Sequence, residues 1–486
     1  HQPDVVPQKK PRWKNAMPQV LAGFVAQSVV IQAGVSMAFS AVLLPQLMQN
    51  DSALTATTDQ LSWIASLVTI GTLIGSIMTG PLMDKFGRRT TCQLSCVPLI
   101  VAWILVCLAQ NVETLYVGRL LAGMGGGLST VAMVYVSEVS NPKIRPMLLC
   151  LNSVFVSTGI LLTCVLAQWF TWREMTIWFG ALAVLSCVVV WLLPESPHWL
   201  ASYKHKKRES VLAAVRWLNR NPQRCQEEMN TLMEAAQIQS QNHRSSYGGF
   251  RFISSSIMVP STLKPVAILF FIFLFQQLSG GYIVIFYAIQ VFQIVGGNFE
   301  KDFDEYDTLV FMGLIRFVMS IIAAIASRRF GRRPLTILSG LGMCITTLIV
   351  ATYLHIDPVE YPGGFRLSEN STDTLTSTES GHWTCVVCIL LYVCFSSLGV
   401  LVIPWTLIGE LLPIKVRGIG SGFMVGVAYL LMFGVVKSFP FALNLTGTEE
   451  IFFFFSFMSL AGVVFVYKFL PETLGKPLQE IEDYFK

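Results

Sequence analysis

The chain has 486 residues, of which 53% are hydrophobic and only 13% charged, with a mean hydropathy of +0.58 and a formal net charge of +5. Soluble domains carry about 25% charged residues, so a string of ordinary soluble domains is excluded and a polytopic membrane protein is indicated. The positive balance is not a nucleic-acid footprint, because the charges are sorted by loop instead of gathered in one patch.

From the N-terminus onward, apolar stretches of about the 20 residues that cross a bilayer predict helical spans near 19–48, 60–84, 91–110, 114–140, 147–170 and 174–193. A polar linker follows at 194–263, and six more spans are predicted near 264–295, 306–329, 334–355, 383–411, 418–444 and 449–470. This gives an all-α fold of about twelve spans, with a short tail at 1–18, a first half at 19–193, a second half at 264–470 and a C-terminal tail at 471–486. The chain begins at His1 without a signal pattern, and a processed or truncated start is expected. Within the linker, Val211, Leu212, Val215 and Leu218 have helical spacing in the polar stretch 209–236, which predicts short cytoplasmic helices under the bundle.

With both termini cytoplasmic, about 28 of the 34 Lys and Arg fall in inside loops and tails. Arg173, Lys301 and Arg366 fall outside, and Arg119, Arg316 and Lys437 lie within spans, with Lys437 snorkelling outward. That sorting is the positive-inside rule. The glycosylation sequons at Asn50, Asn370 and Asn444 are assigned to outside loops, and a plasma-membrane setting is expected. Gly123, Gly125, Gly126 and Gly127 have no strand before them, so they predict close helix packing in lipid and not a dinucleotide site. Cys385 and Cys388 have metal-ligand spacing, but no second pair or His cluster joins them, so no metal or cofactor is expected.

The chain is self-similar. Asp84–Arg89 after the second span recurs as 328–333 after the eighth; Glu138 with Arg145 recurs as Glu410 with Arg417; Pro194-Glu195-Ser196 recurs as Pro471-Glu472-Thr473. The offsets grow from 244 to 272 to 277 residues, mostly through the polar outer loop at 356–382, and imply two parallel six-helix halves. The carboxylates Asp84, Glu138, Glu195, Glu410 and Glu472 alternate with Arg88, Arg89, Arg145, Arg332, Arg333 and Arg417 at cytoplasmic helix ends. Short, directional Arg–carboxylate bonds at these ends predict a conformational latch, since a transporter's halves rock about a central site. The alternative is topogenic charge alone, against which stands the repetition of three motifs in order.

This motif set, with Gly118-Arg119, Gln276-Gln277-Leu278-Ser279-Gly280, Pro404-Trp405 and Pro471-Glu472-Thr473-Leu474-Gly475, resembles the sugar porter family of the major facilitator superfamily over nearly the whole chain. Within it, Gly34–Pro45 and the short C-terminal tail resemble the insect facilitated trehalose transporters. The resemblance implies a facilitative carrier of a small sugar, trehalose or a hexose, working by alternating access. It implies that Gln276 and Gln277 contact the hexose and that Phe286 and Tyr287 close the outer gate.

The residues themselves add to this. Amides offer both donor and acceptor to sugar hydroxyls, Ser279-Gly280-Gly281 lets the seventh span unwind, and Pro404 bends the tenth span beside Trp405, whose indole can stack on a sugar ring. The sequence departs from the family pattern at Tyr282, at Ser153 beside Asn152, at Arg316 and at Ala428-Tyr429, where sugar-binding Asn, Gln, Asn and Asn-Trp would stand. Arg316, mid-span, has two readings: it pairs with helix carbonyls or with tyrosines such as Tyr282, or it contacts an anionic substrate. Proton-coupled members carry an Asp at the position of Ala38, and the first span here has no acid, which predicts uniport. Other classes fit less well. About sixteen residues follow the last span, short for a signalling sugar receptor, and no nucleophile–base set points to an enzyme. The partners expected are a sugar and the lipid bilayer, with no obligate protein partner.

Overall fold

A computed structural model of the chain describes residues 13–48, 54, 56–141, 144–202, 208–219, 222, 225–226, 229–233, 260–296, 305–327, 329–356, 383–412, 417–474, 480 and 484–485. Among the described residues there is no strand. The elements are α1 (Trp13–Gln27), a 3₁₀ turn (Ser28–Val30), α2 (Ile31–Met48), α3 (Thr58–Phe86), α4 (Arg88–Cys107), α5 (Val112–Leu128), α6 (Val131–Val139), α7 (Arg145–Leu166) and α8 (Trp172–Trp191). The short α9 (Pro197–Ser202) and α10 (Arg208–Leu218) precede α11 (Pro260–Leu278), α12 (Ile283–Phe286), α13 (Ala288–Gly296), α14 (Glu305–Ala326), α15 (Arg332–Ile356), α16 (Trp383–Leu398), α17 (Ile403–Leu411), α18 (Arg417–Thr446) and α19 (Thr448–Phe469).

Eleven helical runs are long and apolar enough to cross a membrane. The predicted seventh span supplies the twelfth: its helix Pro260–Leu278 ends just before Gly280, which takes φ +86°, and α12 and α13 continue beyond that break. That break falls where the Ser-Gly-Gly pattern predicts it. The tenth span also breaks, but between Leu398 and Ile403, so Pro404 opens α17 instead of bending a continuous helix. A proline costs nothing at the first turn, where its missing N–H has no partner to lose.

One end of the bundle carries the repeated charge motifs; it is called the motif face here. At the opposite face three helix starts are closed locally. Thr57 and Gln60 form a capping box on α3, Asn111 Oδ1 accepts from Thr114 N–H at 2.9 Å on α5, and Glu174 accepts from Thr171 N–H at 2.8 Å on α8. Such caps satisfy donors that a helix start leaves free.

Inside the first half, α3 and α5 touch backbone to backbone: a methyl group on Gly123 would stand 2.0 Å from the Val68 carbonyl oxygen, and one on Gly71 2.1 Å from that of Leu120. The glycines serve packing in lipid, as their spacing predicts. The halves meet where α3 lies on α18, α7 on α14, and α2 on α12 and α13. Below the motif face, Val211, Ala214 and Val215 of α10 pack on Trp199 and Leu200, and Gln19 Nε2 donates to Asn219 Oδ1 at 3.0 Å, tying the linker to α1. Leu212 is only half-buried, its predicted place in that stripe taken by Ala214.

Candidate functional site

At the motif face the structure joins the repeated motifs into two matching modules, one in each half. In the first, Arg88 donates Nε–H to Glu138 Oε1 at 3.0 Å with its Nη2 2.9 Å away, and Ser196 Oγ donates to Glu138 Oε2. In the second, Arg332 reaches Glu410 Oε1 from Nε at 3.3 Å and Nη2 at 2.9 Å, and Thr473 Oγ1 donates to Glu410 Oε2 at 2.6 Å. Glu195 and Glu472 act differently: they cap helices. Glu195 Oε1 accepts the N–H groups of Arg88 (2.8 Å) and Arg89 (3.0 Å) at the start of α4. Glu472 accepts those of Arg332 (3.0 Å) and Arg333 (3.1 Å) at the start of α15.

The positive helix end and the N–H groups favour an anion there. Burial raises the Glu472 carboxyl pKa, but the N–H groups of Leu474, Arg332, Arg333 and Thr473 outweigh it and hold the group below the usual carboxylate range. Gly87 (φ +97°) and Gly331 (φ +81°) make these caps possible, because a methyl at either would stand 2.5 Å from the capping carboxylate.

The other latch residues are placed as follows. Asp84 lies 3.7 Å from Arg88 Nη1 and is half exposed, a weaker contact than Glu138. Arg89 contributes its backbone N–H to the Glu195 cap, Arg333 Nη2 donates to the Tyr467 carbonyl, and Arg145 Nη2 donates to the Ser140 carbonyl at 3.2 Å. Arg417 opens α18; its side chain and all of 328 lie outside what is described. The ion pairs of Arg88 and Arg332 thus each close within one half.

In the interior, the two broken spans hold each other. Gln276 Nε2 donates to the Val400 carbonyl at 2.7 Å, Ser339 Oγ accepts the Val400 N–H at 2.9 Å, and Tyr392 OH donates to the Ser279 carbonyl at 2.6 Å. The Val400 N–H and carbonyl and the Ser279 carbonyl are thus satisfied from neighbouring helices, as a low-dielectric setting requires. Gln277 donates to Gln276 Oε1 at 3.4 Å, and its own Oε1 is buried with no partner.

Trp405 Nε1 donates to the Tyr282 hydroxyl at 3.1 Å, and its ring packs against Tyr429 at 5.4 Å and Phe273 at 5.1 Å. Tyr287 is fully buried, donating to the Val436 carbonyl at 3.1 Å. Asn152 and Ser153 on α7 are half-buried, and Ser153 bonds back to the Cys150 carbonyl of its own helix. Arg316, in the middle of α14, is 8% exposed; its Nε has no partner, and Tyr282 and Cys164 are the groups within electrostatic reach. The expected pairing with helix carbonyls is not made among the described residues. Arg119, fully buried, donates to the Ile64 carbonyl at 3.3 Å and to Ser40 Oγ, with the Phe39 ring 5.5 Å away. Ser40, not Ala38, is what the first span offers Arg119.

The opposite face holds contacts that sequence reasoning missed. Lys437 does not snorkel to solvent. Its Nζ lies 2.6 Å from Asp59 Oδ1, 2.7 Å from Ser62 Oγ and 4.3 Å from the Trp63 ring centre, joining α18 to α3 across the halves. Gln168 Nε2 donates to Asp307 Oδ1 at 2.7 Å and Gln46 Nε2 to the Tyr306 hydroxyl at 3.4 Å, again across halves. Opposite charges at matching depth on the second and eleventh spans were the available signal. Asn444 stands exposed in the last turn of α18 and not in a loop; Asn50 and Asn370 lie outside the described residues.

The family model described as "Sugar (and other) transporter" matches residues 17–485. A facilitated trehalose transporter of Bombyx mori is 30% identical over 466 residues, covering 96% of this chain and 86% of its own, and one of Culex quinquefasciatus is 29% identical over 479 residues, covering 98% and 87%. Among solved structures, the major facilitator superfamily proton:xylose symporter XylE bound to 6-bromo-6-deoxy-D-glucose superposes with a TM-score of 0.74 at 21% identity, covering 97% of this chain and 100% of that one. An inward-open structure of XylE from E. coli gives 0.73 at 20% identity, covering 96% and 99%. At that identity the likeness shows the fold.

Proposed function

The chain belongs to the sugar transporter family of the major facilitator superfamily, and from that premise we propose that it carries a small sugar, trehalose or a hexose, by facilitated diffusion with alternating access. The observation that carries this reading is the pair of mutually supported helix breaks at Ser279–Tyr282 and 399–402, beside which stand the free Gln277 acceptor and the Trp405–Tyr429 rings. A discontinuous helix at mid-membrane is how such carriers build a polar site. Aromatic faces suit the C–H faces of a sugar ring, and amides suit its hydroxyls. Gln276 positions the site through Val400 while Gln277 offers the free contact.

Facilitated movement is supported by the charge distribution. Every Asp and Glu in the described membrane helices lies in a first or last turn, so no interior carboxylate is placed to carry a proton. The motif face is the cytoplasmic face in this reading, with both termini there and the protein in the plasma membrane. The Arg88–Glu138–Ser196 and Arg332–Glu410–Thr473 modules keep each half rigid as it rocks, with Arg145 and Arg417 at the edges that meet when the cytoplasmic side closes. Asn50, Asn370 and Asn444 are then on the outside, available for glycosylation.

Uptake of labelled trehalose and glucose into proteoliposomes, with and without a pH gradient, tests the proposal. Saturable equilibrating uptake supports it; accumulation driven by pH refutes uniport, and absence of any sugar flux refutes the cargo. A second reading, a polar or anionic solute, is favoured specifically by Arg316.

A further inference from the structure

We propose that Arg316 makes the interior site selective for a sugar bearing one acidic group, a monoanion of the hexuronate or aldonate class. The inference rests on the reading of the broken spans as the transport site and refines the cargo from neutral sugar to sugar acid.

A guanidinium at mid-span costs about 2.5–3.5 kcal/mol on insertion scales and is retained where it faces a partner or a polar cavity. Arg316 is 8% exposed, makes no hydrogen bond or ion pair among the described residues, and leaves Nε buried and unmatched. The acids that could neutralise it are remote in the fold. Asp307 stands in the first turn of the same helix, more than two turns from Arg316, and accepts from Gln168, while Glu305 accepts from Gln293 at 2.9 Å. All other Asp and Glu of the described spans likewise sit in terminal turns.

One other cation lies in a span interior, Arg119, and it is already engaged by Ser40, the Ile64 carbonyl and the Phe39 ring. Lys437, the remaining basic residue within a span, is taken by Asp59. Among the described residues the middle of the bundle therefore carries positive charge with no internal counter-charge; Arg119 leaves only Nη1 unmatched, whereas Arg316 has no hydrogen bond at all.

The surroundings of Arg316 say what the anion is attached to. Tyr282 lies within its electrostatic reach, and the Tyr282 hydroxyl accepts from Trp405, whose ring packs on Tyr429. A guanidinium linked through Tyr282 to the Trp405 and Tyr429 rings, with a free amide oxygen on Gln277 of the same broken span, matches a polyhydroxy ring with an acid substituent. The planar fork of Arg pairs a carboxylate bidentately. One open guanidinium balances one negative charge, which selects a carboxylate over a phosphate dianion. A carrier that moves such a monoanion alone moves net charge, so its flux responds to membrane potential, whereas neutral-sugar flux does not.

The test uses the full chain in proteoliposomes at neutral pH with potassium and valinomycin setting the potential. Uptake of labelled D-glucuronate, D-glucose and trehalose is measured for the wild type, Arg316→Gln and Arg316→Lys. The expected result is saturable glucuronate uptake, faster with an interior-positive potential, and at least about tenfold above glucose at equal concentration. Arg316→Gln lowers glucuronate uptake about tenfold or more, while Arg316→Lys keeps most of it; any glucuronate flux that remains still responds to potential, because the moving charge belongs to the substrate. If Arg316→Gln fails to fold, the potential dependence of the wild type decides alone. Saturable neutral-sugar uptake that ignores potential, with glucuronate neither carried nor competing, overturns this inference and leaves the sugar-transport reading standing. Absence of all three fluxes overturns both.

Discussion

Replacing Lys437 with Met keeps the length of the side chain and removes its charge at the seam between α18 and α3. In the structure that charge bonds Asp59 at 2.6 Å and Ser62 at 2.7 Å and stands 4.3 Å from the Trp63 ring. The Asp59 side chain is 61% exposed against 19% for Lys437, so water discounts the ion pair to about 0.2–1 kcal/mol. The ring contact adds about 0.5–1 kcal/mol. Together the seam loses about 1–2 kcal/mol, a factor of about 5–30 in the ratio of seam-closed to seam-open molecules.

Spin labels on Gln110→Cys and Leu445→Cys, both exposed at the opposite face, report this ratio as a distance distribution. Lys437→Met should move population toward the longer distance. Asp59→Asn should do the same less strongly, because Ser62 and Trp63 still hold the ammonium. The double variant should fall short of the sum, since the two residues share one contact. High salt should weaken the wild-type closure in part, the Lys437 side of the pair being mostly buried. An unchanged distribution in Lys437→Met, or strict additivity in the double variant, refutes the seam as a closing device.

Arg417→Ala should slow turnover while leaving substrate affinity within about threefold, because it alters the balance of end states and not the site. Loss of affinity with an unchanged conformational balance contradicts that. In Glu138→Ala the nearly buried Arg88 loses its main partner, and a melting point lowered by the equivalent of about 3 kcal/mol is expected. Glu472→Gln exchanges charge-assisted acceptance of four N–H groups for one neutral acceptor, which should cost about 2 kcal/mol in thermal denaturation. Because the Glu472 carboxyl is held below its unfolded value of about 4.3, its contribution is complete above that pH and lost only as pH falls through the lower folded value. The gap between wild type and Glu472→Gln should therefore stay constant from pH 8 to about pH 5 and close in acid; a gap that closes above pH 5 refutes the capping role. Gly123→Ala should prevent proper assembly of the first half, since its methyl would meet the Val68 carbonyl at 2.0 Å; monodisperse protein with wild-type flux would refute this packing.

What the sequence discloses and what it withholds divide along a physical line. Apolar run length is a local property, so the spans are legible within a few residues; their repetition is legible too, and it singles out the charged residues at the motif face, but not that Arg88 pairs with Glu138 and Arg332 with Glu410. Partner choice across long separations is not local. Glu195 and Glu472 read as members of a charge ring, yet both spend their oxygens on the backbone of a helix about a hundred residues or more away. The depth at which Lys437 meets Asp59 depends on the tilt and pairing of two helices, which no run length encodes.

The helix breaks show the division most sharply. Gly280 announces that the seventh span can break, because φ +86° suits glycine. A permissive residue alone does not make a break stable in lipid, where unpaired N–H and C=O groups are costly. The tenth span breaks ahead of Pro404 because Ser339 and Gln276 are there to take the Val400 N–H and carbonyl. The same fact bears on Gln276. Its amide donates to the backbone of its neighbour, so in the proposed site the groups left open are on Gln277 and Arg316.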